Sequence, residues 1–524
     1  MEPTRRLSGL LEGVRNGPRA ASPAVAGRFR PGPPPIPTEI ELLAPCLVRR
    51  LHASPHRISI CIPVSTSPIR FRRVLSLVPG LCACLLSACV SYPMRTAGAY
   101  RDFQRGQLER ALSLYEDPEV TGSTFLAGAE AGTVALTLGD WEKAKEHFLR
   151  AVVASEDALG RGALESSNLI ETLSSFGLND RTQTYGGEGF ERVYLHACLA
   201  MAFLATGDLD GVWVEVQRAN QILEGEEELY EKDYEAGGFG HLMSAVAYEI
   251  FGEPDQAYID YVRMEEKGVG AELAGRALVR LSKRLGREDD LARWEARYGA
   301  DEPRPADAAS IVVLAGVGLA PVKAQGSLAI PTRQGLIPVA VPAYQQQGQP
   351  VAGLQLIEEG FGAGVRTSVV EHVSAVAEEN LSDRLGLIAA KSVGRGILKR
   401  ELTKHLEDEH GVGGRLVGDL FAVLTEQADL RAWQTLPDTW QAARLFVSPG
   451  EHALRLEALG GTSLQLGAYR LEPGETMLVL ARSIGRNLYA HPIGGEPVGT
   501  SSSTVEPSAS GEATVSTTPW LGDS

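Results

Sequence analysis

The chain has 524 residues, enough for two or three domains, and its formal net charge at pH 7 is −16. Residues 1–88 contain twelve arginines and only four acidic residues, so residues 89–524 carry 38 basic and 62 acidic side chains, a net charge of −24. A body this acidic repels nucleic acid and anionic lipid head groups, which argues against both as partners of its main surface.

The first 68 residues are rich in arginine and proline, as in RPGPPPIP, and show neither the helical nor the strand period of apolar side chains. We therefore expect residues 1–68 to be disordered, or to be an extension that results from a misassigned start. Initiation between Val64 and Ile69 would leave an ordinary export signal.

Residues 69–88 have the layout of a bacterial signal peptide. RFRR at 70–73 is a basic region, and VLSLVPGLCACLL at 74–86 is an apolar region of the expected length. That region is shorter than the about twenty residues of a spanning helix, and Pro79 interrupts it. We interpret it as a cleaved signal, with an uncleaved anchor as the alternative.

The next four residues, LSAC at 86–89, resemble the lipobox of bacterial lipoproteins. The resemblance implies that Cys89 becomes the first residue and carries three acyl chains, palmitate among them. Each buried CH₂ contributes about 0.8 kcal/mol, so three chains make attachment effectively permanent. Val90 and Ser91 are not the aspartate that retains such proteins in the inner membrane. The expected location is the outer membrane, on its periplasmic side.

Cysteine usage agrees with this placement. Of the six cysteines, only Cys198 follows Cys89, and a lone thiol cannot form an internal disulfide. Cys198 stands in an apolar helical context, so we interpret it as a small buried hydrophobe and not as a nucleophile.

A pattern recurs between residues 99 and 286: a glycine, a small or apolar residue five positions later, and an aromatic or apolar residue four further on. Its glycines are Gly106, Gly139, Gly207 and Gly252, with a fainter fifth at Gly286. The pattern resembles the tetratricopeptide repeat (TPR), in which small residues let two antiparallel helices approach closely. It predicts an all-α, TPR-like superhelix over residues 89–300, whose concave side is a groove.

The interval between the second and third glycines holds TYGGEGFERVYLH (184–196), a candidate site. The glycine pair must break any helix, which places Glu188 and Glu191 in the first turn of the next helix, where the helix dipole favours them. One interpretation puts Tyr185, Glu188 and Glu191 at the mouth of a partner-binding groove. The other is a helix N-terminal cap with an aromatic staple.

After the linker GADEPRPADA (299–308), apolar residues recur at every second position, as they do in strands. SIVVLAGVGLAPVKA, GSLAIPT and LIPVAVPAY predict strands, and helical blocks follow at 367–408 and 413–427. LPDTWQAARLFV, EHALRLEAL, TSLQLGAYRL and ETMLVLARS predict four more strands. The fold class is therefore α+β, with a mixed domain over 309–490 that contains helices and a small antiparallel β-sandwich; residues 494–524 are predicted to be disordered.

Five stretches in this order, YGGEGFERVYLH, GEPDQAYIDY, GLAPVKA, TEQADLRAW and LPDTWQAARL, resemble a family of uncharacterised outer-membrane TPR lipoproteins of Gram-negative bacteria. The resemblance spans roughly residues 81–490. It implies a location and an architecture, but neither an activity nor catalytic residues.

TEQADLRAW (425–433) is the second candidate site. Glu426 and Asp429 share a helical face, and Arg431 lies beside Trp433. Two carboxylates and a guanidinium could hold a sugar or an amine on which the indole stacks. The alternative is a buried ion pair and a packed tryptophan that join the helical block to the sandwich.

Motifs of established chemistry, including GxSxG, the P-loop, HExxH and CxxC, are missing from residues 89–524. His405, Glu409 and His410 could approach one another at a helix end, but we interpret them as a solvated face and not as a metal site. We expect no catalytic residue, no metal and no cofactor.

Two functions remain. The first is a lipid-anchored periplasmic scaffold or adaptor that binds an envelope protein or peptide in the TPR groove, with peptidoglycan as a further candidate partner. The second is a periplasmic enzyme that processes the cell wall or a surface glycan, with the repeats as a docking arm. A deep cleft in 309–490 faced by two acids would favour the enzyme.

Overall fold

The computed structural model describes residues 90–165, 184–230, 237–332, 335–360, 362, 364–425 and 427–499. All of them belong to one structural unit. The segments predicted as extension and signal peptide, the lipid-attachment residue Cys89, and Glu426 lie outside the described residues.

From residue 92 to residue 298 the described chain is helical, and we call this the helical half. Neighbouring helices pack in consecutive pairs, α2 with α3, α5 with α6, α7 with α8, α9 with α10 and α11 with α12. The helices are α1 (Tyr92–Arg95), α2 (Ala97–Gln104), α3 (Leu108–Tyr115), α4 (Pro118–Thr121), α5 (Thr124–Leu138), α6 (Trp141–Glu165), α7 (Gly189–Ala205), α8 (Leu209–Tyr230), α9 (Gly238–Ile250), α10 (Pro254–Glu266), α11 (Ala271–Leu285) and α12 (Glu288–Tyr298).

A glycine in the left-handed conformation follows the first helix of each pair. Side chains disfavour this conformation, so a glycine can reverse the chain there without strain. The five glycines of the sequence pattern occupy these positions with φ between 66° and 79°: Gly106, Gly139, Gly207, Gly252 and Gly286. The pattern therefore located the turn within each pair correctly.

Close approach within a pair depends on small residues, as expected. A Cβ added at Gly132 of α5 would lie 2.4 Å from the ring of Phe148 in α6, and Phe148 is fully buried. The aromatic ring thus occupies the space that the glycine leaves.

The C-terminal half, residues 309–499, contains two five-stranded sheets and a separate hairpin. The sheet orders are β11-β10-β1-β7-β6 and β12-β9-β8-β4-β5. The strands are β1 (Ala309–Val317), β2 (Val322–Thr332), β3 (Gly335–Gln345), β4 (Leu354–Glu359), β5 (Gly364–Arg366), β6 (Ser368–His372), β7 (Thr439–Val447), β8 (Gly450–Ala458), β9 (Ser463–Leu471), β10 (Thr476–Ile484), β11 (Asn487–Ile493) and β12 (Glu496–Val498).

Strand β1 belongs to two hydrophobic cores at once. Ile311 and Val313 lie in the cluster between the two sheets, whereas Val312 and Leu314 lie in the cluster shared with the helices. Side chains alternate between the faces of a strand, so one strand can serve both layers. All nine residues of β1 are buried because both faces are covered. The molecule is thus layered as helices, sheet and sheet.

The structure confirms a mixed α and β fold and corrects two details. Strand β1 pairs with β10 in parallel, so the expected antiparallel sandwich is wrong at the centre of its first sheet. Residues 496–498, expected to be disordered, pair with β9 as an antiparallel strand. The rest of the predicted tail, from residue 500, lies outside the described residues.

Helix α13 (Val373–Thr425) consists of two helical segments that meet at Gly411, whose φ of 60° and ψ of −146° are not helical. The second segment folds back on the first, since a Cβ added at Gly418 would lie 2.7 Å from Cα of Thr403. The first predicted helical block begins too early, because residues 368–372 form β6. The β2–β3 hairpin joins neither large sheet and packs Ile337 and Val339 against α13. None of the described helices is both long enough and apolar enough to cross a membrane.

Candidate functional site

The segment between α13 and β7, residues 427–438, belongs to no helix or strand and lies against α5 and α7. The backbone N–H of Trp433 donates to Oε1 of Glu191 at 2.7 Å. Those of Gln434 and Thr435 donate to the two carboxylate oxygens of Glu130 at 2.8 and 2.9 Å. Buried backbone groups need such partners. Two glutamates of the helical half therefore supply the bonds that the segment cannot make within a sheet.

Trp433 is 2% exposed and completes this attachment. Its indole N–H lies 3.0 Å from the hydroxyl oxygens of Thr133 and Thr435, and its ring packs against Phe148 at 6.1 Å between centroids. It joins the two halves as a packed side chain, as the structural interpretation of TEQADLRAW predicts.

The first candidate stretch forms a helix cap. Glu188 is the N-cap residue of α7, and Glu191, three residues later, completes a capping box. Oε2 of Glu191 accepts hydrogen bonds from the Glu188 N–H at 2.9 Å and from the Tyr185 hydroxyl at 2.6 Å. The Tyr185 ring meets Phe125 edge-on at 5.8 Å. The expected helix cap is present, whereas the Tyr185 ring packs against α5 and not along α7.

The second candidate stretch meets the first. Arg431 pairs with Asp429 at 2.6 Å, and its guanidinium lies 4.9 Å from the centroid of the Tyr185 ring. The expected helical face for Asp429 is wrong, because α13 ends at Thr425. The two stretches, treated separately in the sequence, form a single site.

A cavity of about 270 Å³ opens where they meet. Its charged lining side chains are those of Glu188, Lys323, Arg384, Lys391, Arg395, Asp429 and Arg431. Five cationic groups thus face two carboxylates, although the whole chain is acidic. Guanidinium and ammonium groups in this excess stabilise a bound anion.

The two carboxylates of the cavity are paired with cations. Oε1 of Glu188 contacts Lys323 and lies 3.0 Å from Arg384. Burial alone would raise the pKa of Asp429, but hydrogen bonds and charge from Arg431 outweigh it and hold that pKa below its usual value. The pKa of Glu191, behind the cavity wall, is raised by burial and by the neighbouring charge of Glu188.

A second cavity, of about 500 Å³, lies between α9, α11 and the β7 side of the first sheet. Behind it the Glu249 carboxylate binds Arg280 at 2.6 Å and Arg444 at 2.9 Å. Burial would raise the pKa of Glu249, but the two arginines lower it to about 2. These residues are distant in sequence and belong to no motif, so no sequence signal pointed to them.

Three residues considered above as metal ligands are exposed: His405, Glu409 and His410. Both histidines lie 3.7–3.8 Å from the Glu409 carboxylate. Within the residues that the structure describes, no group of histidine, cysteine, aspartate and glutamate could hold a metal ion. Cys198 is buried, and burial raises the pKa of its thiol to about 12, which opposes thiolate chemistry.

Compared with protein-family models and with curated protein sequences, the chain shows no match. The sequence pattern pointed to six of the converging residues but not to Glu130, Lys323, Arg384, Lys391 and Arg395. Only the tertiary fold brings these five together with the two stretches.

Proposed function

We propose that this protein is a lipid-anchored adaptor of the bacterial envelope, held through Cys89 on the periplasmic side of the outer membrane. The lipobox-like LSAC sequence supports the anchor. The position of the folded unit is consistent with it, because α1 begins at Tyr92, three residues after Cys89.

We further propose that the helical half is a TPR-like superhelix. The five helix pairs, each with its left-handed glycine, support this assignment. Its inner helices contact the chain itself: Glu130 and Glu191 bind residues 433–435, and Phe239 stacks on Trp440 at 3.9 Å. The proposal therefore places the partner on another surface and not in the groove.

One observation favours a binding function over glycan hydrolysis: both carboxylates in the cavity form ion pairs with cationic side chains. Glycosidases need one protonated acid and one carboxylate on opposite sides of a scissile bond. Glu188 and Asp429 are instead neutralised by Lys323, Arg384 and Arg431. Such an arrangement suits recognition better than proton transfer.

The proposed partner surface is the outer part of α13, where Val412, Leu416 and Val417 are each more than 60% exposed. Clustered exposed apolar side chains mark interaction sites, because water contact with them is unfavourable. An envelope protein with a complementary apolar surface would cover them.

Mass spectrometry of the native N-terminus tests the anchor: a triacylated residue 89 is expected, and Cys89→Ser should release the protein from membranes. A photo-crosslinker at Leu416 tests the partner surface, with the exposed Lys143 of α6 as the control position. We expect a discrete envelope-protein adduct from position 416. Equal labelling at both positions, or none at 416, would refute this surface, and an unmodified N-terminus would refute the anchor.

A further inference from the structure

The cavity described above is built by six separate parts of the chain. These are helix α6, residues 184–188, strands β2 and β3, helix α13, and residues 427–431. Its lining does not include residues 433–435, which the chain itself holds against α5 and α7. It therefore remains available to a ligand that the adaptor function does not require.

Three of its five cationic groups lie along one helix. Arg384, Lys391 and Arg395 of α13 all line the cavity, together with Ile388. Spacings of four, three and four residues put side chains on a single helical face. These three cations therefore form one continuous stripe of α13.

Part of that charge neutralises acids of the protein, and part does not. Glu188 forms ion pairs with Lys323 and Arg384, and Asp429 forms an ion pair with Arg431. Among the described residues, no acidic side chain forms an ion pair with Lys391, which is partly buried in the cavity wall. Partial burial makes a positive charge costly unless an anion accompanies it.

Glu188, which lines the cavity, carries a buried hydrogen-bond acceptor without a donor in the described part of the chain. Glu188 is 8% exposed, and its Oε2 has no hydrogen-bond donor among the described residues. A buried carboxylate oxygen without a donor is destabilising, and a donor on a bound molecule would satisfy it. A suitable ligand thus has an N–H or O–H group close to its anionic group.

We propose that this cavity binds a small molecule that carries a phosphate or carboxylate group next to a hydroxyl or ammonium group. Lys391 and Arg384 contact the anionic oxygens, and Oε2 of Glu188 accepts the hydrogen bond from the neighbouring donor. The volume of about 270 Å³ lies just under that of drug-sized sites, so it suits a sugar phosphate or a dipeptide.

Isothermal titration of the purified full chain at low ionic strength tests the proposal. The probes are glucose 6-phosphate, the dipeptide Ala-Ala and uncharged glucose. We expect one of the anionic probes to bind at millimolar concentration or below, and glucose not to bind. Lys391→Ala should weaken that binding about tenfold or more, as expected for the loss of a charge-assisted contact.

Lys404→Ala is the matched control, because Lys404 is exposed on the same helix and does not line the cavity. Its affinity should equal that of the wild type, and both variants should keep the wild-type unfolding midpoint. Flotation with phosphatidylglycerol vesicles distinguishes the two sources of a phosphate group. If the protein floats with the vesicles and Lys391→Ala reduces this flotation, the ligand is a lipid head group. If the protein binds a soluble probe but does not float, the ligand is a soluble molecule. The proposal would be overturned if neither titration nor flotation detected binding, or if Lys391→Ala and Lys404→Ala lowered the affinity equally.

Discussion

The carboxylate of Glu191 accepts a hydrogen bond from the backbone N–H of Trp433, 242 residues further along the chain, at 2.7 Å. The same side chain closes the capping box of α7 and binds the hydroxyl of Tyr185. One glutamate thus both starts a helix and holds the C-terminal half against it.

We expect Glu191→Gln to lower the free energy of unfolding by about 1–3 kcal/mol. All three partners of Glu191 are donors, and an amide replaces one acceptor oxygen with a further donor. Urea denaturation followed by circular dichroism measures the change. Glu142→Gln is the control, since this glutamate is 78% exposed in a surface ion pair and should change stability little. Equal effects in both variants would contradict the role of Glu191.

Trp433→Ala should cost about 3–5 kcal/mol of unfolding free energy, because it leaves a cavity at the junction and removes the indole hydrogen bonds. Thermal and urea unfolding provide the measurement. Trp213, which is 53% exposed, offers a matched tryptophan. A loss for Trp213→Ala as large as that for Trp433→Ala would show that the junction is not the source of the effect.

Gly132→Ala should destabilise the protein by about 1–3 kcal/mol, because the new methyl group would overlap the buried ring of Phe148. Gly240, in α9, has open space where a Cβ would stand. Gly240→Ala should therefore be neutral, or stabilise by up to about 1 kcal/mol through helix propensity. Differential scanning calorimetry of both variants distinguishes overlap from propensity, and a neutral Gly132→Ala would disprove the tight approach of α5 and α6.

Glu130 makes stability depend on pH. Burial raises its pKa to about 7, although hydrogen bonds from Tyr92, Gln434 and Thr435 act in the opposite direction. In the unfolded chain the group titrates near its ordinary value of 4.5, so between about pH 4.5 and 7 the folded state binds the extra proton. Its contribution to the free energy of unfolding is therefore largest below pH 4.5, and it falls as the pH rises to 7.

Urea titrations of the wild type and of Glu130→Gln between pH 4 and 8 measure this dependence. The difference between the two proteins should decrease by roughly 1–3 kcal/mol across the window and stay flat above it. A difference that is independent of pH, or that grows as the pH rises, would show that Glu130 is ionised in the folded protein well below pH 7.

Much of the local structure was readable from the sequence. The glycines at 106 and 139 mark turns because few other residues adopt a left-handed conformation, and Glu188 with Glu191 matches a capping box by spacing alone. Strands β8 and β9 show apolar alternation. The parallel neighbour of β1 was not readable, because β10 lies far away in sequence and no local pattern encodes which strands pair.

By itself, the sequence determined the elements and their turns, since these follow from backbone preference and the period of apolar side chains within a few residues. Only the tertiary structure decided that residues 433–435 bind to α5 and α7 and that Lys391 shares a cavity with Glu188. These contacts join residues hundreds of positions apart. Their energies depend on burial and charge, which exist only once both halves have packed together.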